Sequence, residues 1–327
     1  MASLIHAFIF ACSILIVWFF ADILVDSVNR IARRFHETGF MVSFFVLGFL
    51  TSLSEISVAI NAGLQGVPNI SVGNLLGASF VLLLFVVPLL AVAGGGIELR
   101  HSISKRNLVL SLGVILLPLI LVLDGTVSKG DGLLSLLAFG WLLYSMYRQD
   151  QQSKVLKQES AVPQVVSPKE SRMAAREILN IFIAAVAIFM ASKLLVEQAV
   201  YFSTAFGVSQ SIVGLMLLSV GTNVPELVVA IRSILKRHKD IAFGDYIGSA
   251  AVNTFIFGAL ASACGAFSFD PHTFTAVTIL MVIGIVCFYR FARTKNRISR
   301  KEGAVLLMFY LCFIGFYVFN LASGAVR

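Results

Sequence analysis

Two glutamates carry the most chemistry in this chain. Glu55 and Glu226 each lie in a long apolar run, and each follows a threonine, Thr51 or Thr222, by four residues. In a helix that spacing puts hydroxyl and carboxylate on one face. A carboxylate in an apolar run is costly to bury and reads first as functional. Pro225, directly before Glu226, has no N–H and so frees a backbone carbonyl one turn earlier, near Gly221. In a membrane such a carbonyl is tolerated where another group satisfies it or where it lines a cavity. Carboxylate, hydroxyl and bare carbonyl together are the ligands of a hard cation. Two carboxylates facing each other there cannot both stay charged without a cation or a proton. One divalent ion satisfies both, and monovalent cations or protons must replace it when it leaves.

The surroundings of the two glutamates repeat. Glu226 lies 171 residues after Glu55, and the same shift carries Thr51 onto Thr222, Gly73 onto Gly244 and Gly77 onto Gly248. Val42 falls on Val213, Val58-Ala59-Ile60 on Val229-Ala230-Ile231, and Asp26 on Glu197, with no gap between positions 42 and 82. An ungapped match of these residues marks an internal repeat. The paired glycines are close-packing positions that let neighbouring helices sit against the glutamate helices. On the same faces come Asn74, Ala78 and Leu82 in the first copy, and Asp245, Ser249 and Asn253 in the second. The second copy keeps oxygens at all three positions, and Ser249 and Asn253 are expected to touch an ion. Asp245 lies one turn inside its span and reads equally as a ligand or as a solvated residue at the cavity mouth. Ser52 and Asn223, directly after each threonine, complete the candidate set with Asn74.

The elements that must position these groups are membrane helices. The 327 residues are 58% hydrophobic and 13% charged, against about 45–50% and about 25% in soluble domains. The excess falls in runs of about 20 residues, the length that crosses a ~30 Å hydrocarbon core. Ten spans are predicted, over 3–28, 38–62, 70–94, 107–123, 132–147, 178–199, 209–234, 242–266, 273–292 and 303–325. Of the 25 Lys and Arg, 22 fall on one side of this plan, leaving Lys129, Lys193 and Arg327. By the positive-inside rule both termini are outside, and the +8 net charge needs no acidic partner. Spans 1–5 and 6–10 then run in opposite directions. The expected fold is an all-α polytopic membrane protein of ten transmembrane helices in two inverted five-helix repeats. The first repeat covers 1–147, a Gln-, Ser- and Lys-rich cytoplasmic linker 148–177, and the inverted second repeat 178–327. Inverted repeats with a site at their interface are a transporter architecture.

Other signals are bland. Residues 1–20 carry no Lys or Arg, so the first run is not expected to be a signal peptide. The four cysteines lie in apolar runs and read as small packing residues. The five histidines lie at span edges and in loops without ligand spacing. Asp22, Asp26, Lys193 and Glu197 read as interfacial pairs or snorkelling side chains. No phosphate-binding loop and no nucleic-acid module is found, no cofactor is expected, and no obligatory protein partner is evident. The bilayer and the transported ions are the expected partners.

The two copies resemble the alpha repeats of the calcium/cation antiporter superfamily, especially prokaryotic sodium/calcium exchangers. Those repeats carry a Gly-Thr-Ser-x-Pro-Glu segment and, about 19 residues on, a Gly-Asn-x-x-Gly-Ser-Asn-type segment. Here the second copy reads Gly221-Thr222-Asn223-Val224-Pro225-Glu226 and Gly244-Asp245-Tyr246-Ile247-Gly248-Ser249, and the first Leu50-Thr51-Ser52-Leu53-Ser54-Glu55 and Gly73-Asn74-Leu75-Leu76-Gly77-Ala78. The resemblance implies an inner-membrane antiporter exchanging Ca²⁺ for Na⁺ or H⁺ by alternating access. It implies that Glu55, Glu226, Thr51 and Thr222 bind calcium, and that Ser249 and the position of Asn253 help bind sodium. Potassium-dependent members carry Asp at the place of Asn253, so Asn253 argues against potassium. The first copy departs from the pattern with Ser54 for Pro, Ala78 for Ser and Leu82 for a polar residue, and the second has Asn223 for Ser. The first half is therefore expected to hold Na⁺ weakly, with a proton neutralising Glu55 when Ca²⁺ leaves. Exchange of Ca²⁺ or another divalent ion for protons is the alternative. A passive channel would need a continuous pore. An intramembrane protease dyad would share a proton and bind water, and the threonines and freed carbonyl suit a cation better, so no enzyme is expected.

Overall fold

The computed structural model describes residues 2–32, 48–98, 104–157, 168–224, 226–227, 230–231, 239–270, 272–293 and 297–323. Helix dominates, and the helical segments follow the ten expected spans. In chain order they are α1 (Ala2–Ala32), α2 (Gly48–Thr51 and Leu53–Leu64), α3 (Pro68–Val81, continuing to Ala93), α4 (Lys105–Leu121) and α5 (Lys129–Lys157). The second half gives α6 (Pro168–Phe206), α7 (Gln210–Val213, continuing to Thr222), α8 (Lys239–Cys264), α9 (His272–Arg293) and α10 (Arg300–Ser323). Seven of the described helices are long and apolar enough to cross a membrane, and Leu53–Leu64 and Gln210–Thr222 are shorter apolar helices. Helix also occupies part of 148–177. α5 runs on to Lys157 through good helix formers, and α6 opens with Pro168 at its first position, where the missing N–H costs nothing.

Two short ribbons tie the halves together. β1 (Ile97–Glu98) pairs antiparallel with β4 (Arg297–Ile298), and β2 (Thr126–Val127) with β3 (Phe267–Ser268). The repeat shift carries Thr126–Val127 onto Arg297–Ile298, and, one residue short, Ile97–Glu98 onto Phe267–Ser268. β1–β4 joins the connections after the third and ninth helices, and β2–β3 those after the fourth and eighth. In a ten-helix serpentine each of these pairs lies on one side of the membrane.

The repeat extends to local capping. Before α5, the Ser128 backbone N–H and hydroxyl donate to Asp131 Oδ2 at 2.8 and 2.7 Å, and Asp131 N–H returns to the Ser128 hydroxyl at 3.3 Å. Before α10, 171 residues on, Ser299 donates twice to Glu302 Oε2 at 2.7 Å and Glu302 N–H returns at 3.4 Å. Each is a capping box that satisfies helix-start donors reciprocally. α1 and α6 pack along each other and are joined by related clasps. At one end Arg30 Nε donates to Glu177 Oε1 at 2.9 Å. At the other, His6 stacks on Tyr201 with 3.5 Å between ring centroids and meets Gln198 Oε1 at 2.6 Å. Under the shift His6 falls on Glu177 and Arg30 on Tyr201. Asp26, Lys193 and Glu197 are exposed.

Small residues allow the close approaches that build the centre, and these cross between repeats. A Cβ on Gly73 would lie 2.0 Å from Ser211 O of α7, and one on Gly77 2.4 Å from Leu215 O. A Cβ on Gly48 of α2 would lie 2.9 Å from the Gly248 backbone of α8. α3 therefore sits backbone to backbone on α7, and α8 on α2. The irregularities of these helices are specific. α3 carries a π segment at Leu82–Val86, and α7 one at Gly214–Leu218. Each widens one turn of its helix and rotates the face presented by the turns beyond it, a form of irregularity frequent at functional sites.

Candidate cation site

The two glutamate helices break at the same place. Ser52 (φ −75°, ψ 7°) ends the Gly48–Thr51 turn, and Asn223 (φ −90°, ψ 9°) ends the Ser219–Thr222 turn. These positions correspond under the 171-residue shift. The cause is a side chain competing for the helix carbonyl. Ser52 Oγ donates to Gly48 O at 2.7 Å, whereas its own N–H reaches that oxygen at only 3.3 Å. Asn223 Nδ2 donates to Ser219 O at 2.6 Å. The sequence points to Ser52 and Asn223 as ion ligands. Their donors shape the break, and Asn223 Oδ1 is left without a partner. Pro225, expected to free a carbonyl, lies outside the described residues. The first repeat breaks with Ser54 in the proline's place, so proline is not required for the break.

All ten candidate residues are buried. Glu55 is 2% exposed, Glu226 1% and Asp245 0%. The reading of Asp245 as a solvated mouth residue is thereby corrected: α8 continues back to Lys239 and carries Asp245 into the packed interior. Glu226 lies within electrostatic range of both Glu55 and Asp245. Among the described residues no Lys, Arg or His is buried.

The bonds follow the pseudo-symmetry. Thr51 Oγ1 lies 3.2 Å from Asp245 Oδ1 and 2.7 Å from Ser249 Oγ. Thr222 Oγ1 lies 3.2 Å from Asn74 Oδ1, the twin of Asp245. Ser249 Oγ reaches Gly48 O at 3.3 Å.

Four participants escape a reading of the sequence. Gly48 supplies a carbonyl shared by Thr51, Ser52 and Ser249. Ser54 donates to Glu55 Oε2 at 2.7 Å. Tyr246 donates its hydroxyl to Glu226 O at 3.2 Å. Ser79 receives Asn253 Nδ2 at 3.2 Å. Only Ser79 carries a signal, because Ala78-Ser79 answers Ser249-Ala250 with the hydroxyl moved by one residue.

Glu55 Oε1, Glu226 Oε2, Asp245 Oδ2, Asn223 Oδ1 and Asn253 Oδ1 are buried acceptors without a hydrogen-bond donor. Each such group costs roughly 1–3 kcal/mol, and more when charged. Among the described residues no trio of His, Cys, Asp or Glu is arranged to hold a metal. The donor set is thus carboxylates diluted with hydroxyl, amide and carbonyl oxygens, which suits a hard cation and not a thiolate- or imidazole-bound metal.

Comparison with known proteins agrees with this arrangement. The family described as sodium/calcium exchanger protein matches residues 5–148 and again 177–319. The inner membrane protein YrbG of Escherichia coli K12 is 26% identical over 296 residues, covering 90% of each chain. The sodium/calcium exchanger MaX1 of Methanosarcina acetivorans is 31% identical over 140 residues, 43% of this chain and 40% of its own. The fold matches that of the sodium-calcium exchanger NCX_Mj, with a TM-score of 0.67 at 23% identity, covering 96% of this chain and 98% of that one. The chain is an integral multi-pass membrane protein of all-α, ten-helix, inverted-repeat architecture, a transporter and not an enzyme, and it belongs to the sodium/calcium exchanger protein family.

Proposed function

We propose that the protein exchanges Ca²⁺ for Na⁺ by alternating access, with Ca²⁺ held between Glu55 and Glu226. Thr51 and Thr222 contribute hydroxyl oxygens, and Asp245, Ser249, Asn253 and Asn223 line the half that takes the monovalent ion. The observation that carries this reading is the set of five donor-less buried oxygens, three of them on carboxylates, with no basic side chain among the described buried residues. A cation offsets that cost, and two glutamates match the charge of one divalent ion. The names of relatives that handle sodium and calcium support the same choice of ions.

A second reading, exchange of Ca²⁺ or another divalent ion for protons, is favoured by one feature. Ala78 and Leu82, 0% and 1% exposed, occupy the places of Ser249 and Asn253 in the first half and offer no oxygen. Uptake of radiolabelled Ca²⁺ into proteoliposomes under an imposed Na⁺ or pH gradient separates the readings. Uptake driven by neither gradient overturns both.

The orientation belongs to the same proposal: cytoplasmic membrane, both termini outside, 148–177 a cytoplasmic linker between repeats. It rests on the 22-to-3 division of basic residues. Cysteines placed at Ser153 and Ser323 should be labelled from opposite sides, the first only from the cytoplasm. Labelling of both from one side contradicts it.

A further inference from the structure

We propose that the groove between α4 and α9 holds one anionic diacylphospholipid, its phosphate at Arg290 and Arg293 and an acyl chain along the apolar wall. The groove has a volume of about 610 Å³ and is walled by Val109, Leu112, Gly113 and Leu116 of α4 against Ile285 and Val286 of α9. Its polar end is formed by Tyr289, Arg290 and Arg293. Arg293 Nη1 donates to the Tyr289 hydroxyl at 3.0 Å, with the guanidinium 5.5 Å from the ring centroid. That contact orients the guanidinium and leaves further N–H groups for a phosphate. Lys105 and Arg106, both exposed, open α4 at the same end of this antiparallel pair.

The repeat supplies the control. α4 and α9 are twins, and the 171-residue shift carries Gly113 onto Gly284, Leu119 onto Arg290 and Val122 onto Arg293. A Cβ on Gly284 would meet Leu84 at 2.7 Å, whereas one on Gly113 would meet nothing within 4 Å. Leu119 and Val122 are both fully buried. The groove is open at Gly113 and carries both arginines, whereas the place related to it by the repeat, with Gly284, Leu119 and Val122, is packed and apolar. Any acyl chain could lie against the wall, but two arginines at its end select a negative headgroup, as basic pockets between membrane helices do. In the proposed orientation that end faces the cytoplasmic leaflet, where anionic lipids are abundant.

The test uses the full chain, delipidated in mild detergent and offered equal phosphatidylglycerol and phosphatidylethanolamine, with bound lipids counted by native mass spectrometry. One phosphatidylglycerol should be bound in preference. Arg290→Gln with Arg293→Gln should lower that preference at least tenfold. Gly113→Leu should displace the lipid by filling the groove, and Arg290→Lys with Arg293→Lys should retain most of the binding. Arg300→Gln with Lys301→Gln, basic positions outside the groove, should change nothing. Equal binding of the two lipids, unchanged preference in the glutamine pair, or equal loss in the lysine pair or the outside control overturns the proposal.

Discussion

In the second repeat, α8 brings Asp245, Ser249 and Asn253 to the centre; in the first, α3 brings Asn74, Ala78 and Leu82 to the equivalent places. Both halves use the same scaffold. Each glutamate helix breaks one residue after its threonine, each break is made by a side chain bonded to the carbonyl four residues back, and each threonine reaches the facing helix of the other repeat. The halves differ in the oxygens hung on that scaffold. Backbone geometry is shared because it is set by glycine contacts and local bonds that both copies keep. Ligand chemistry depends on single side chains, so it can diverge while the frame stays.

The largest effect should come from the element the halves share equally. Glu55→Gln or Glu226→Gln removes half the charge that faces a divalent ion, and Ca²⁺ exchange should fall more than 100-fold in either variant. The purified protein should remain monodisperse, since Gln keeps the shape. Normal exchange by Glu55→Gln would remove the site assignment.

A smaller effect should separate the halves. Thr51 bonds a carboxylate and a hydroxyl, whereas Thr222 bonds an amide oxygen. Hydrogen bonds to charged groups are worth roughly 1.5–3 kcal/mol against roughly 0.5–1.5 for neutral ones. Thr51→Val should therefore weaken Ca²⁺ affinity, measured by titration calorimetry, about tenfold more than Thr222→Val. Equal losses, or the reverse order, would mean that Asp245 does not distinguish the two sides.

Much of the fold is legible in the sequence because apolar runs of membrane length and an ungapped repeat are coarse, redundant signals. The ten candidate residues, picked from the sequence as a set, are all buried. Their wiring is not legible there. Nothing in the linear order tells that Gly48 O is shared by three hydroxyls, or that Ser52 spends its hydrogen on a helix break. These depend on which helices touch, and the contacts that matter cross between repeats. Asp245 misleads because distance along a helix from its end is a poor guide to burial when neighbouring helices cover that end. The proline is a weaker signal than its chemistry suggests: Ser54 stands in its place in the first repeat, and the helix breaks there nonetheless.

The most direct test of unequal halves is the Na⁺ dependence of Ca²⁺ exchange in proteoliposomes, measured at mildly acidic and mildly alkaline pH. Under-coordination of a buried cation costs several kcal/mol, and each ~1.4 kcal/mol is tenfold in affinity. The wild-type protein should show a shallow Na⁺ dependence, with exchange slowed at acidic pH where protons compete with Ca²⁺ for the carboxylates. Ala78→Ser with Leu82→Asn, which returns two oxygens to the first half, should steepen the Na⁺ dependence and reduce the effect of pH. A steep, multi-ion Na⁺ dependence in the wild-type protein, unchanged between the two pH values, would contradict the account.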